Sequence, residues 1–311
     1  MACKGTLKTS DGLLICTACG TQFEVTASSN KRECRVCDDP RQFVPPTGQT
    51  FTTLSKIREE GHQNTFVQDE VNPKLWKIFT EPQFAIGERA MLLQTSQGNV
   101  LWDLITLLNQ ETVDKINSLG GIAAIVISHP HYYTTYVDWA LTFRCPVYTG
   151  AADFPWLERT STLGLILRPI TAHLTPILPG VTAVLCGGHF PGSLCLHWAA
   201  YSSLFIADTV VTVPSASNPE PGKRGVISYT FFWSIPNRIP LDAEAVAGIW
   251  EAVRGLEWDT TYGAFMEMDV RTGEEEVKRG TGGVKGRFEE SCRIFVRAMG
   301  VEMPRSLRGK R

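Results

Sequence analysis

The stretch GGHFPGS, Gly187 to Ser193, decides how this chain is read. Two glycines precede His189 and a Pro-Gly follows it, so the backbone turns sharply beneath an imidazole that can point into a cleft. The turn sits between strand-like runs, TAVLCGG before it and LCLHWAA after it, and SSLFIADTV comes next, with Asp208 near its end. Upstream, GIAAIVISHPHYYTTYVDWA carries a buried apolar strand straight into His129 and His131. Three imidazoles delivered at strand ends are the minimum for a zinc ion that keeps one coordination position open. Asp208 is then a fourth ligand or the carboxylate that orients a bound water. Asp103, closing GNVLWD, is expected to steady neighbouring loops by hydrogen bonds rather than to touch metal.

Working outward, KLWKIFT, AMLLQTS, GNVLW, PVYTG and LTPILPG read as further strands, and NQETVDKINSLGG as a helix closed by Gly120 and Gly121. PLDAEAVAGIWEAVRGL and GRFEESCRIFVRAMG read as later helices. The mixture predicts sheets covered by helices, an α/β (α+β) sandwich.

The order strand-Asp103, SHPH, GGHFPGS, IADT resembles the metallo-β-lactamase fold superfamily, whose usual motif is H-x-H-x-D-H, then G-H-[ST]-P-G-S, an Asp closing a strand and a late His. The resemblance spans roughly Thr52 to Phe265. It implies an αββα sandwich in which His129, His131 and His189 hold one metal and Asp208 is the bridging carboxylate. The departures bear on a second metal: Tyr133 and Thr134 stand where the family has Asp and His, and Ala264 takes the place of the late His. The expectation is one metal ion, zinc or another borderline transition ion, since imidazoles suit these better than magnesium.

The first fifty residues carry Cys16-x-x-Cys19 and Cys34-x-x-Cys37. Each pair closes a turn that aims two thiolates at one ion, so the two turns predict a four-cysteine structural zinc in a small ribbon too short to fold on apolar burial alone. Unmetallated thiols on a loop-rich extension are the alternative. The Pro45-Pro46-Thr47-Gly48 linker after the cysteines resembles that of fungal metallo-β-lactamase-domain proteins. The expected organisation is a ribbon and linker over 1–50 and a metallo-β-lactamase-like domain over 51–311. Cys145, Cys186 and Cys195 fall in apolar strands and read as buried small hydrophobes.

Composition narrows the partners. With 43% hydrophobic and 20% charged residues the chain can pack a full core, and a net charge of -2 gives no electrostatic reason to bind nucleic acid. No apolar run approaches a membrane span, and MACKGTLKTSDGLLIC lacks the apolar core of a signal peptide, so the expected address is the cytoplasm. The nine cysteines are then mostly thiols.

A single zinc can bring the pKa of its water from about 15.7 to about 7, so one metal is sufficient for hydrolysis. Tyr133 or Tyr136 would donate to a developing oxyanion if their loop turns inward. The segment 213–238 lies just beyond Asp208 and carries Tyr229, Phe231, Phe232 and Trp233, an expected apolar wall for a small-molecule substrate. These expectations describe a hydrolase of an ester, thioester, lactone or lactam. A catalytically inactive binding module on the same fold is the alternative.

Overall fold

A computed structural model describes residues 4–46, 48–161, 163–216, 226–280 and 282–308. It contains two compact units, Met1–Ile170 and Thr171–Arg311. Among the described residues no helix is long and apolar enough to cross a membrane.

The first unit opens with a small antiparallel sheet, β1 (Leu13–Cys16), β2 (Gln22–Thr26) and β3 (Phe51–Thr52), in the order β2-β1-β3. Ile15 is buried with Leu54, Ile57 and Leu107, so the small sheet shares a core with the rest of this unit. A seven-stranded sheet comes next: β4 (Gln63–Gln68), β5 (Leu75–Glu81), β6 (Arg89–Thr95), β7 (Gly98–Trp102), β8 (Ala124–Val126), β9 (Val147–Gly150) and β10 (Leu167–Ile170). β4 to β7 pair antiparallel and β7 to β10 parallel. Parallel strands need crossovers, and Gln110–Ser118 is the helix that carries the chain from β7 to β8. Its N-cap Asn109 accepts from the Thr112 amide at 3.0 Å, Val113 and Ile116 are buried, and Gly120 and Gly121 end it at φ 109° and 76°. The expected helix and its stop are therefore present. β7 and β8 are in register at Trp102 and Val126, which brings Asp103 and the residues after Val126 out at the same carboxyl edge. Side chains that come after parallel strands gather at such an edge.

The second unit is built on a six-stranded sheet that begins with β11 (Leu174–Leu178), β12 (Val181–Leu185), β13 (Leu194–Trp198) and β14 (Ser203–Phe205). Two short ribbons intervene, β15 (Val211–Thr212) with β16 (Tyr229–Thr230), and β17 (Phe232–Ser234) with β18 (Ile239–Pro240). β19 (Thr260–Tyr262) and β20 (Val270–Arg271) complete the sheet, in the order β11-β12-β13-β14-β19-β20. Helices Ala243–Val253 and Gly283–Ala298, both expected from their apolar periodicity, cover it. Val246, Ile249, Trp250 and Val253 of one helix and Phe288, Cys292 and Val296 of the other are buried with Leu204, Ile206, Tyr229 and Phe231. Asp242 caps the first helix by accepting from the Ala245 amide at 2.8 Å.

Candidate functional site

The cysteine cluster lies within the first unit. Cys16 ends β1, Cys19 sits in a tight turn closed by the Gly20 amide on the Cys16 carbonyl at 2.9 Å, and Gly20 holds φ 76°. Cys34 is the N-cap of the short helix Arg35–Asp38, and Cys37 lies within that helix. All four sulfurs are buried and lie within 4.8 Å of one another. The sulfurs of Cys16 and Cys37 are 3.7 Å apart, and those of Cys19 and Cys34 3.6 Å. Four Zn–S bonds of about 2.3 Å in a tetrahedron place sulfurs about 3.8 Å apart, so this cage fits zinc. Hydrogen bonds from Cys19, Cys34 and Cys37 drive the Cys16 thiol far below the ordinary thiol range. Hydrogen bonds with Cys16 and Cys34, with burial, push the Cys19 and Cys37 thiols upward.

The histidine loop of the first unit is built on Asp103 and Ser128. Asp103, at φ 57°, accepts from the Ser128 amide at 2.7 Å and donates its own amide to the Val126 carbonyl at 2.8 Å, which ties the two strand ends together. Ser128 Oγ then lies 2.8 Å from His129 Nδ1. His129 Nε2 faces His131 Nδ1 at 3.3 Å, and both rings are buried. Two nitrogen ligands on a tetrahedral zinc at about 2.0–2.1 Å stand about 3.3 Å apart, so this pair suits a shared ion.

The second unit builds its own pair of turns. His189 is fully buried and its Nδ1 lies 3.0 Å from the Phe232 carbonyl. A carbonyl only accepts, so Nδ1 carries the proton and the lone pair is on Nε2. Gly187 and Gly188 adopt φ 64° and 89°, and a Cβ on Gly188 would meet Thr209 Oγ1 at 2.7 Å, so this turn does require glycine. Thr209 Oγ1 donates to the Gly187 carbonyl at 2.5 Å, which clasps the Asp208 turn to the His189 turn. Asp208 is buried in the short 3-10 turn Ala207–Thr209 after β14.

Three expectations need correction. Tyr133 is buried and its hydroxyl donates to the Asp153 carbonyl at 3.3 Å, while burial, then the nearby Asp153 charge, raises its pKa. Tyr136 starts the helix Tyr136–Phe143 and its hydroxyl donates to the Arg159 carbonyl; burial pushes its pKa upward as well. Both protons are committed to backbone, so neither side chain is poised for an oxyanion. The aromatic wall divides: Tyr229 and Phe231 are core residues against Phe288, at centroid distances of 5.2 and 6.0 Å, because the helix Gly283–Ala298 lies over them. Phe232 and Trp233 are half-buried, and Phe232 supplies the carbonyl that orients His189. Residues 217–225 of the expected 213–238 segment lie outside the described residues. Ala264, in the late-His position, is buried.

No family model matches the chain. The uncharacterized protein YmaE of Bacillus subtilis (strain 168) is 38% identical over 269 residues, covering 85% of this chain and 93% of that protein. The chain belongs to the YmaE family. This relative is bacterial, and the fungal likeness of the cysteine-and-linker segment gains no support from it. The metallo-β-lactamase FIM-1 of Pseudomonas aeruginosa, solved in a mono-zinc form, superposes with a TM-score of 0.51 at 14% identity, over 76% of this chain and 96% of that one. VMB-1 matches at a TM-score of 0.50 and 11% identity, over 75% and 98% of the two chains. TMB-1 matches at 0.50 and 10%, over 76% and 99%. At such identities the likeness is one of fold, and the YmaE-family chain has the metallo-β-lactamase-like α/β sandwich expected from its motifs, with a small N-terminal sheet that carries four cysteines.

Ser128, Thr209 and the Phe232 carbonyl were not singled out in sequence. Ser128 and Thr209 each adjoin a motif residue, and a hydroxyl beside a buried ligand is the signal that marks them.

Proposed function

We propose that this chain is a metal-dependent hydrolase of ester, thioester, lactone or lactam carbonyls, with one metal ion held by His129, His131, His189 and Asp208. The observation that carries this reading is the His129–His131 nitrogen pair at 3.3 Å, the spacing of two ligands on one zinc. The fold and the Nδ1-protonated tautomer of His189 support it. A zinc ion there would polarise a carbonyl and acidify water. The chain's own part is orientation: Asp103 and Ser128 fix the first pair of rings, Phe232 fixes His189, and Thr209 holds the turn that bears Asp208. Asp208, acceptor-only when ionised, is suited to holding a water for attack.

The reading includes a structural zinc on Cys16, Cys19, Cys34 and Cys37, a ribbon over 1–50 beside a domain over 51–311, a small-molecule substrate and a cytoplasmic setting without nucleic-acid or membrane partners. A second reading, an inactive binding module on the same fold, is favoured by one observation: the Tyr133 and Tyr136 hydroxyls, expected as donors to an oxyanion, are bonded to carbonyls. A panel of activated esters, thioesters, lactones and lactams, with and without chelator, separates the two. The hydrolase reading expects turnover that rises with pH toward neutrality and vanishes in His189→Ala. No metal-dependent turnover on any class would leave the binding module.

A further inference from the structure

Cys186 and Cys195 stand at the two ends of the loop that carries His189. Cys195 is on β13, where it pairs opposite Val184, and Cys186 comes directly after the end of β12. Their sulfurs are 3.6 Å apart, and the Cys186 thiol also reaches the Ser193 carbonyl at 3.3 Å. Cys195 is fully buried, whereas Cys186 is half-buried, so an incoming oxidant meets Cys186 first. The sequence expectation of a buried small hydrophobe holds for Cys195 and Cys145 but not for Cys186. The hydrogen bond with Cys186, then burial, keeps the proton on Cys195, so Cys195 becomes nucleophilic only as it gives up that proton, and its part as the second thiol rests on its position 3.6 Å from Cys186.

We propose that Cys186 and Cys195 are a peroxide-sensitive thiol pair whose closure to a disulfide displaces the turn that carries His189. A hydroperoxide transfers one oxygen to the Cys186 sulfur, which becomes a sulfenic acid as the peroxide's O–O bond breaks and an alcohol or water leaves. The Cys195 sulfur then attacks that of Cys186; the S–O bond breaks, the S–S bond forms, and the oxygen departs as water with the Cys195 proton. The two electrons lost by the thiols reduce the peroxide. Bonding needs a sulfur separation of about 2.05 Å, so the pair must draw together by roughly 1.5 Å. The Cys186 and Gly187 amides both donate to the Ser193 carbonyl, at 3.1 and 3.0 Å, and Gly187 in turn accepts from Thr209. The movement is therefore passed to the clasp between the His189 and Asp208 turns.

The chemical half of this inference stands alone; the effect on metal rests on the reading of His189 as a ligand. The zinc-loaded full chain is exposed to hydrogen peroxide, alkylated and digested with trypsin, which leaves both cysteines in one peptide. The expected result is loss of both alkylation sites and of about 2 Da from that peptide, reversed by dithiothreitol. In Cys195→Ser, Cys186 should instead stop as a sulfenic acid trapped by a 1,3-diketone. Full alkylation of both sites, or direct passage of Cys186 to sulfinic acid in the parent, overturns the pair. Metal at the histidine site, defined as the zinc lost in His189→Ala, should be held about tenfold more weakly after oxidation of the parent but not of the Cys186→Ser, Cys195→Ser double variant. A disulfide with unchanged affinity overturns the displacement. A reduced parent that holds no such zinc overturns the ligand reading and leaves the peptide result to decide the thiol pair.

Discussion

Replacing Asp138 by Asn tests how the cysteine-bearing sheet is locked to the histidine loop within the first unit. Asp138 is fully buried and its Oδ1 accepts from Arg159 at 2.6 Å, while Oδ2 accepts from the Ser10 amide at 3.0 Å and from Gln22 Nε2 at 3.3 Å. Arg159 is itself buried and has other acceptors in Gln22 Oε1 at 2.6 Å and Ser10 Oγ at 3.2 Å. Gln22 belongs to the small sheet, and its amide donates to the Thr134 carbonyl at 3.1 Å, just beyond the histidines. Removing one partner of a buried ion pair costs about 3–5 kcal/mol. The two neutral acceptors that remain to Arg159 put the expected loss near the lower end, about 3 kcal/mol. At about 2–4 °C per kcal/mol for a unit of this size, Tm should fall by roughly 6–12 °C. Urea and thermal unfolding monitored by circular dichroism, at fixed zinc, measure it. A Gln22→Ala cycle should show a coupling of about 0.5–3 kcal/mol, since the residues share one network. A loss below about 1 kcal/mol, or strict additivity with Gln22→Ala, would refute the lock.

Three further outcomes are expected. Glu88 is buried, with Oε1 3.4 Å from the Thr106 hydroxyl and no hydrogen-bond partner for Oε2 among the described residues, and burial pushes its pKa up to about 8 from 4.5. The folded chain then keeps a proton that the unfolded chain releases, so the Glu88 contribution is full below pH 4.5 and is lost as pH rises through about 8. Glu88→Gln should therefore match the parent near pH 4 and be more stable near pH 9, by on the order of a few kcal/mol in urea titrations; a parent-like slope in the variant would count against it. Cys16→Ser with Cys19→Ser should remove about one zinc per chain by elemental analysis and lower Tm, and unchanged zinc would count against the ribbon site. Gly188→Ala should cost about 1–3 kcal/mol, because its Cβ would meet Thr209 Oγ1 at 2.7 Å and Ile249 Cδ1 at 2.8 Å at φ 89°; a neutral result would mean the clasp gives way freely.

What could be read in sequence is what local chemistry decides. The glycines before His189 declare a tight turn, the apolar run before Ser128 declares a buried strand, and Gly120 with Gly121 closes a helix. Each signal concerns a few adjacent residues, and each is met in the structure. The misread side chains are those whose partners are remote or made of backbone. Tyr229 and Phe231 look like a substrate wall beside Asp208 until the helix that buries them, Gly283–Ala298, is folded over them. Tyr133 and Tyr136 look like donors beside a metal until the carbonyls of Asp153 and Arg159 take their protons.

The same distinction governs the candidate site. Imidazoles can be counted in a sequence, but the atom that sets a tautomer often cannot be found there: His189 is oriented by the carbonyl of Phe232, a group every residue carries. Side-chain substitution at Phe232 therefore leaves that acceptor in place, and only a change in the path of β17 would remove it. His129 Nδ1 meets a side chain instead, Ser128 Oγ, so Ser128→Ala removes that hydroxyl. The two halves of the proposed ligand set thus differ in how they can fail: one through point changes at Ser128 or Asp103, the other through displacement of the Gly187–Thr209 clasp. Cys186 adjoins that clasp, where a covalent change can move backbone that no single side chain controls.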